Sequence, residues 1–133
     1  MSFDLFVMDL PREARTLDDI PRDWQGGTIG PRSDLISAIK RVAPTADFSD
    51  PTWGMIDGPD FAIEVNVGAA DPVESFAFHV RGSDLALGVV ADILESLDLK
   101  AVDPQSSTGA LFSAATALES LHAWRAYRDS VIH

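Results

Sequence analysis

Glu64 and Asn66 alternate with apolar residues in the run Phe61-Ala62-Ile63-Glu64-Val65-Asn66-Val67, as His79 and Arg81 do in Glu74-Ser75-Phe76-Ala77-Phe78-His79-Val80-Arg81. A carboxylate, an amide, an imidazole and a guanidinium on one surface can make a polar site. His79 can act there as a general base if Glu64 orients its ring, because proton transfer needs an imidazole held in place. The bland alternative is a solvated sheet face with one cross-strand pair. That is the commoner outer face of half-buried antiparallel strands.

Other groups with chemical potential are weaker. The loop Gly26-Gly27-Thr28-Ile29-Gly30 precedes a helix, as anion-binding turns do. It matches neither the dinucleotide fingerprint nor the P-loop, so a flexible loop is the simpler expectation. The stretches Asp47-Phe48-Ser49-Asp50 and Asp57-Gly58-Pro59-Asp60 lack EF-hand spacing and read as turns. His79, His122 and His133 are too far apart in sequence for a metal motif, and no metal or cofactor is expected. There is no Gly-x-Ser-x-Gly elbow and no His-Glu-x-x-His. The polar segment 102–109, with Gln105, reads as Asx and hydroxyl turns. Its functional alternative is a groove wall beside the open sheet face. Candidate binding residues are therefore Glu64, Asn66, His79, Arg81 and Gln105, with no catalytic residue assigned.

The elements that position these groups follow from periodicity. Period-two alternation predicts strands with one buried face at both runs. Phe61, Ile63, Val65 and Val67 share that face with Phe76, Phe78 and Val80. Pairing Val67 with Glu74 sets Ile63 opposite Phe78 and Ala62 opposite His79, and leaves Glu64 diagonal to His79. A first strand is expected over Phe3–Asp9, apolar on both faces and so covered on both, at least in part. Residues 11–30 read as a long loop with one helical turn near Thr16-Leu17-Asp18-Asp19, pinned to the body by Trp24. A helix is expected over 31–42, carrying Leu35, Ile36, Ile39 and Val42 at helical spacing. Turns over 45–51 lead to a short strand at 52–56. A second helix follows Ser83 as N-cap, burying Leu85, Ala86, Val89, Val90, Ile93, Leu94 and Leu97. A last strand covers 99–103, and a third helix runs from about Ser113 toward Val131.

The expected order β-α-β-β-β-α-β-α is an α+β fold. It is a mostly antiparallel sheet with two helices on one face, a ferredoxin-like split β-α-β variant with one extra strand and an added C-terminal helix. One domain over 1–133 fits the length, with 113–133 as that added helix.

Composition narrows the function classes. The formal charge of −11 opposes nucleic acid and anionic membrane surfaces and speeds encounter with a basic partner. With no cysteine, disulfides, thiolate metal sites and cysteine nucleophiles are excluded. No apolar run approaches the ~20 residues of a membrane helix, and no signal peptide is visible, so a cytoplasmic location is expected.

Four motifs together carry a likeness: Ser2-Phe3-Asp4-Leu5-Phe6-Val7, Trp53-Gly54-x-x-Asp57-Gly58-Pro59, Phe78-His79-Val80-Arg81-Gly82 and Leu99-x-Ala101-x-Asp103-x-Gln105-Ser106. Over about residues 2–112 the chain resembles a set of small acidic bacterial proteins of unknown function. The resemblance implies a bacterial, cytoplasmic, single-domain protein and no catalytic role. In size and charge the chain is also similar to immunity proteins of bacterial toxin systems, a likeness of composition alone. The expectation is a non-catalytic interaction protein, an acidic partner for a basic protein, with a homodimer through the C-terminal helix as a further possibility. The alternative is a small enzyme or ligand-binding domain using the open sheet face around Glu64, His79 and Arg81.

Overall fold

Alternating runs form strands and the 3.6-period runs form helices. The order is β1 (Ser2–Met8), α1 (Arg32–Val42), β2 (Asp47–Asp50), β3 (Trp53–Gly58), β4 (Phe61–Asn66), β5 (Ser75–Gly82), α2 (Leu85–Leu97) and β6 (Lys100–Val102), with a short 3-10 turn at Leu17–Asp19. The structure, a computed structural model, describes residues 2–83, 85–104, 106 and 109–113. The C-terminal helix expected over 113–133 lies, but for Ser113, outside the described residues, as does Gln105.

The six strands form one sheet in the order β2-β3-β4-β5-β1-β6, with every pairing antiparallel. The fold is α+β. Leu5, Val7, Ile63, Val65, Phe76, Phe78 and Val80 project from one face. Leu35 and Ile39 of α1 and Ala86, Leu87, Val90, Ile93 and Leu94 of α2 pack there in the same cluster. Such burial of large apolar side chains is the main force holding the sheet to its helices.

Three expectations are corrected here. The stretch 45–51 is not only turns, because Asp47–Asp50 pairs with β3 through an irregular register. Phe48 and Gly54 explain it: a Cβ on Gly54 would collide with the Phe48 ring, so glycine lets that ring lie over β3. The first strand is interior, between β5 and β6, and its second face is covered in part, with Met8 half-buried and Phe6 keeping 40% of its surface exposed. On α2, Leu85 is exposed and Leu87 and Ala91 are buried in its place. That helix is apolar on most sides, so its sequence fixes the buried face poorly. Ser83 precedes it, but its hydroxyl is buried without a hydrogen-bond partner among the described residues, so no side-chain cap is seen there.

The β4–β5 hairpin differs most in register. Ile63 lies opposite Val80, and Glu64 opposite His79, two residues from the tight pairing expected. The connection is pulled away from the hairpin axis. Val67 and Gly68 donate their N–H groups to the Thr52 carbonyl. Val73 is fully buried and pairs with Gly30, while Ile29 N–H donates to the Val73 carbonyl at 2.7 Å. Asp71 accepts the Arg32 N–H at 3.0 Å, satisfying a free donor at the start of α1. Pro31 supplies no donor of its own and stands just before that first turn. The loop thus ties helix to sheet at the expense of tight turn closure.

The 11–30 loop is anchored as expected. Trp24 Nε1 donates to the Asp9 carbonyl at 2.9 Å. The Gly27 N–H donates to the Asp9 carboxylate at 2.8 Å, so a side chain of this chain takes the donor an anion would need. Leu17 N–H donates to the Gly109 carbonyl and Leu111 N–H to that of Arg15.

Candidate functional site

Alternation places the even residues of β4 and the odd residues of β5 on the face opposite the two helices. Glu64, Asn66, His79 and Arg81 share it. Asp4 and Phe6 of β1 and Trp53 and Met55 of β3 join them through the neighbouring pairings. Two cross-strand rows result. One runs Met55, Glu64, His79, Asp4; the next runs Trp53, Asn66, Ala77, Phe6, Val102.

His79 is at the centre. Its Nδ1 is 2.8 Å from Asp4 Oδ1. A carboxylate accepts, so Nδ1 carries the proton in this pair. Nε2 then holds a lone pair in the neutral ring and an N–H in the imidazolium. The Trp53 indole reaches across β4 and stacks on the imidazole, with ring centroids 6.0 Å apart and planes inclined by 22°. Glu64 is directly opposite His79, but its ion pair among the described residues is with Arg81, at 4.0 Å. The expectation that Glu64 orients His79 is therefore corrected: the orienting carboxylate is Asp4. Arg81 is well exposed, and a pair so long and so wet contributes little. Asn66 is exposed between Trp53 and Ala77. Gln105 lies outside the described residues.

Asp4 was not among the sequence candidates. Its outward position in β1 was legible, since it alternates with Phe3 and Leu5. Its neighbour was not, because the two residues are 75 positions apart.

The chemistry open to this arrangement is narrow. An imidazole oriented by a carboxylate can accept a proton at Nε2. No group of three metal-ligating side chains is found among the described residues. Cavities among the described residues lie elsewhere. One of about 390 Å³ lies between the C-terminal end of α2 and β6, among Leu10, Leu94, Leu97, Leu99 and Lys100. Arg12 and Asp98 pair at 3.0 Å beside it. Its Lys100 ammonium donates to the Arg12 and Ala14 carbonyls and is thereby a structural clamp. Another, of about 460 Å³, lies in the 11–30 loop beside Trp24 and Pro21. Neither is lined by Glu64, His79 or Arg81.

No family model matches this chain. No curated protein matches it either. The site is therefore read from its own geometry.

The Asp-rich stretches behave as turns. Asp47 accepts from the Ser49 hydroxyl and N–H, and Asp50 accepts likewise from Thr52. These bonds favour the ionised form and hold both carboxyls below the ordinary aspartate value, led in each case by the hydroxyl. No helix among the described residues is long and apolar enough to cross a membrane.

Proposed function

We propose that the protein is a non-catalytic interaction protein whose sheet face opposite α1 and α2 docks a basic segment of a partner protein. One observation carries this reading. Phe6 and Trp53, each 40% exposed, stand in the same row of that face, beside a row carrying Asp4 and Glu64. Aromatic side chains left in water beside charged neighbours mark a contact surface better than scattered apolar residues do. The charge of −11 favours a basic partner. The test is capture from the lysate of the source cells at low and moderate salt, with wild type and a Phe6→Ser/Trp53→Ser double variant side by side. A basic protein retained by the wild type and lost by the variant supports docking here. A protein retained equally by both overturns it.

A second reading has its own observation. The Asp4–His79 hydrogen bond has the geometry of an oriented general base, which supports a small enzyme or ligand-binding domain on the same face. A small-molecule screen by NMR distinguishes the two. One-to-one binding that moves Glu64, His79 and Arg81 together, and that is lost in His79→Ala, favours the second.

The finer topology belongs to this proposal. β1 and β4 are parallel with β5 between them, and β5 and β6 are parallel with β1 between them. These relations support a ferredoxin-like split β-α-β unit extended by β2 and β3. The likeness to small acidic bacterial proteins, the cytoplasmic location and a homodimer remain part of the same proposal.

A further inference from the structure

Away from the sheet face, the 11–30 loop holds an indole in water. Trp24 keeps 39% of its surface exposed, yet the residue is fixed in place. Its Nε1 donates to the Asp9 carbonyl at 2.9 Å and its backbone N–H to the Pro21 carbonyl at 3.0 Å. Gly26 permits that approach, since a Cβ there would stand 2.7 Å from the same Asp9 carbonyl oxygen. The side-chain anchor uses one edge of the ring, and beside Trp24 lies a cavity of about 460 Å³. Pro11, Ala14 and Pro21 complete its apolar wall, and Glu13 and Asp19 bring carboxylates to it. Small-molecule sites have volumes of about 300–1,000 Å³, so this one is large enough.

The charges at the cavity favour a cation, but not a small hard one. Asp19 accepts the N–H groups of Arg15 and Thr16, which hold its carboxyl below the ordinary 3.8 and keep it ionised. The Glu13 carboxylate forms no ion pair among the described residues. Three bases stand nearby and oppose a visiting cation. Arg12 is turned to Asp98 at 3.0 Å, and Lys100 donates to the Arg12 and Ala14 carbonyls. Arg15 acts on Asp19 through space without pairing with it among the described residues. No group of three metal-ligating side chains is found among the described residues. A primary ammonium is strongly hydrated, and two exposed carboxylates do not replace its water. A quaternary ammonium spreads its charge over methyl groups. Those methyls gain from contact with the indole and the proline rings, and the charge gains from the indole face.

We propose that this cavity is a binding site for a quaternary ammonium group, with Trp24 as its cation-binding face, Pro11 and Pro21 as walls for the methyl groups, and Glu13 and Asp19 as counter-charges. The site is separate from the docking face, and either can fail without the other. The test is an NMR titration of the full chain with choline chloride, with ionic strength held constant by sodium chloride. The second probe is 3,3-dimethylbutanol, the neutral isostere with carbon in place of nitrogen. The expected result is saturable binding in the millimolar range that moves the Trp24 indole N–H and the backbone amides of Glu13 and Asp19. The isostere should bind at least about threefold more weakly, the ratio that an exposed cation–π contact supplies. Trp24→Leu should lose the binding. That variant also loses the bond to Asp9, so Glu13→Gln, which leaves the loop anchors in place, is the second variant. It should weaken choline about twofold and leave the isostere unchanged. Equal affinity for choline and the isostere overturns the proposal, as does a choline affinity unchanged in Glu13→Gln. Shifts confined to Trp53 and Phe6 would put choline on the sheet face and overturn this site, and so would the absence of any saturable shift at Trp24.

Discussion

Phe78 has no exposed surface, and its ring meets Phe76 edge-on at 5.2 Å with an interplanar angle of 74°. Both rings lie under the helices, as the alternating run predicts. Replacing Phe78 with Ala removes most of a buried aromatic and leaves a cavity, so unfolding should become easier by about 3–5 kcal/mol. Urea denaturation measures this. A loss within the scatter of surface substitutions would mean the core is not organised around that ring. Acid sensitivity also belongs to single residues. Asp19 accepts the N–H groups of Arg15 and Thr16, and these bonds, with that of Arg15 foremost, lower its pKa below the ordinary 3.8. Asp47 and Asp50 are lowered as well. Their folded values are depressed, so the stability they contribute is present above the unfolded value and is lost as pH falls through the folded one. A triple Asp→Asn variant at 19, 47 and 50 should show a shallower fall of melting temperature between about pH 4 and about pH 2 than the wild type. Equal slopes would place the acid lability elsewhere.

The β4–β5 connection is an element with two duties. It joins two central strands, and through Asp71 and Val73 it fastens the start of α1 to the sheet. Arg32 adds a second tie by donating from its guanidinium to the Ala69 carbonyl at 3.1 Å. Asp71→Ala removes the acceptor for a free helix donor, at a cost of about 1 kcal/mol. Asp71→Asn, which keeps an acceptor oxygen, should recover most of it. Chemical denaturation of the two variants checks the difference. Equal losses would show that the carboxylate charge, and not the hydrogen bond, holds the loop to the helix. The same loop explains the register. Once Val67 and Gly68 turn toward Thr52, no short turn is left to impose the tight pairing.

At the scale of the whole molecule, charge and topology act together. Acids exceed bases by 21 to 10, so a phosphate backbone meets a repulsive field. No useful affinity for duplex DNA is expected at physiological salt. Gel-shift binding in the low micromolar range would contradict this and would require a local basic surface strong enough to beat the net charge. Topology places the hairpin strands in the middle of the sheet, with β3 on one side and β1 on the other. Residues from four strands therefore meet on one face, which no single hairpin could bring together.

The class of fold, the strands at 61–66 and 75–82 and the helices near 32–42 and 85–97 were legible in the chain itself. Side-chain direction in a strand or helix is local, so apolar spacing reports it directly. The shared face of Glu64, Asn66, His79 and Arg81 was legible for the same reason. The hairpin register was not, because a slip of two residues preserves every face and the apolar pattern looks identical either way. Strand β2 escaped notice because Asp47, Ser49 and Asp50 are turn formers that tertiary pairing with β3 overrides. The partnership of Asp4 with His79 and the stacking of Trp53 depend on which strands become neighbours. Long-range burial of Leu5, Val7 and Phe78 in one core decides that, and no local pattern encodes it.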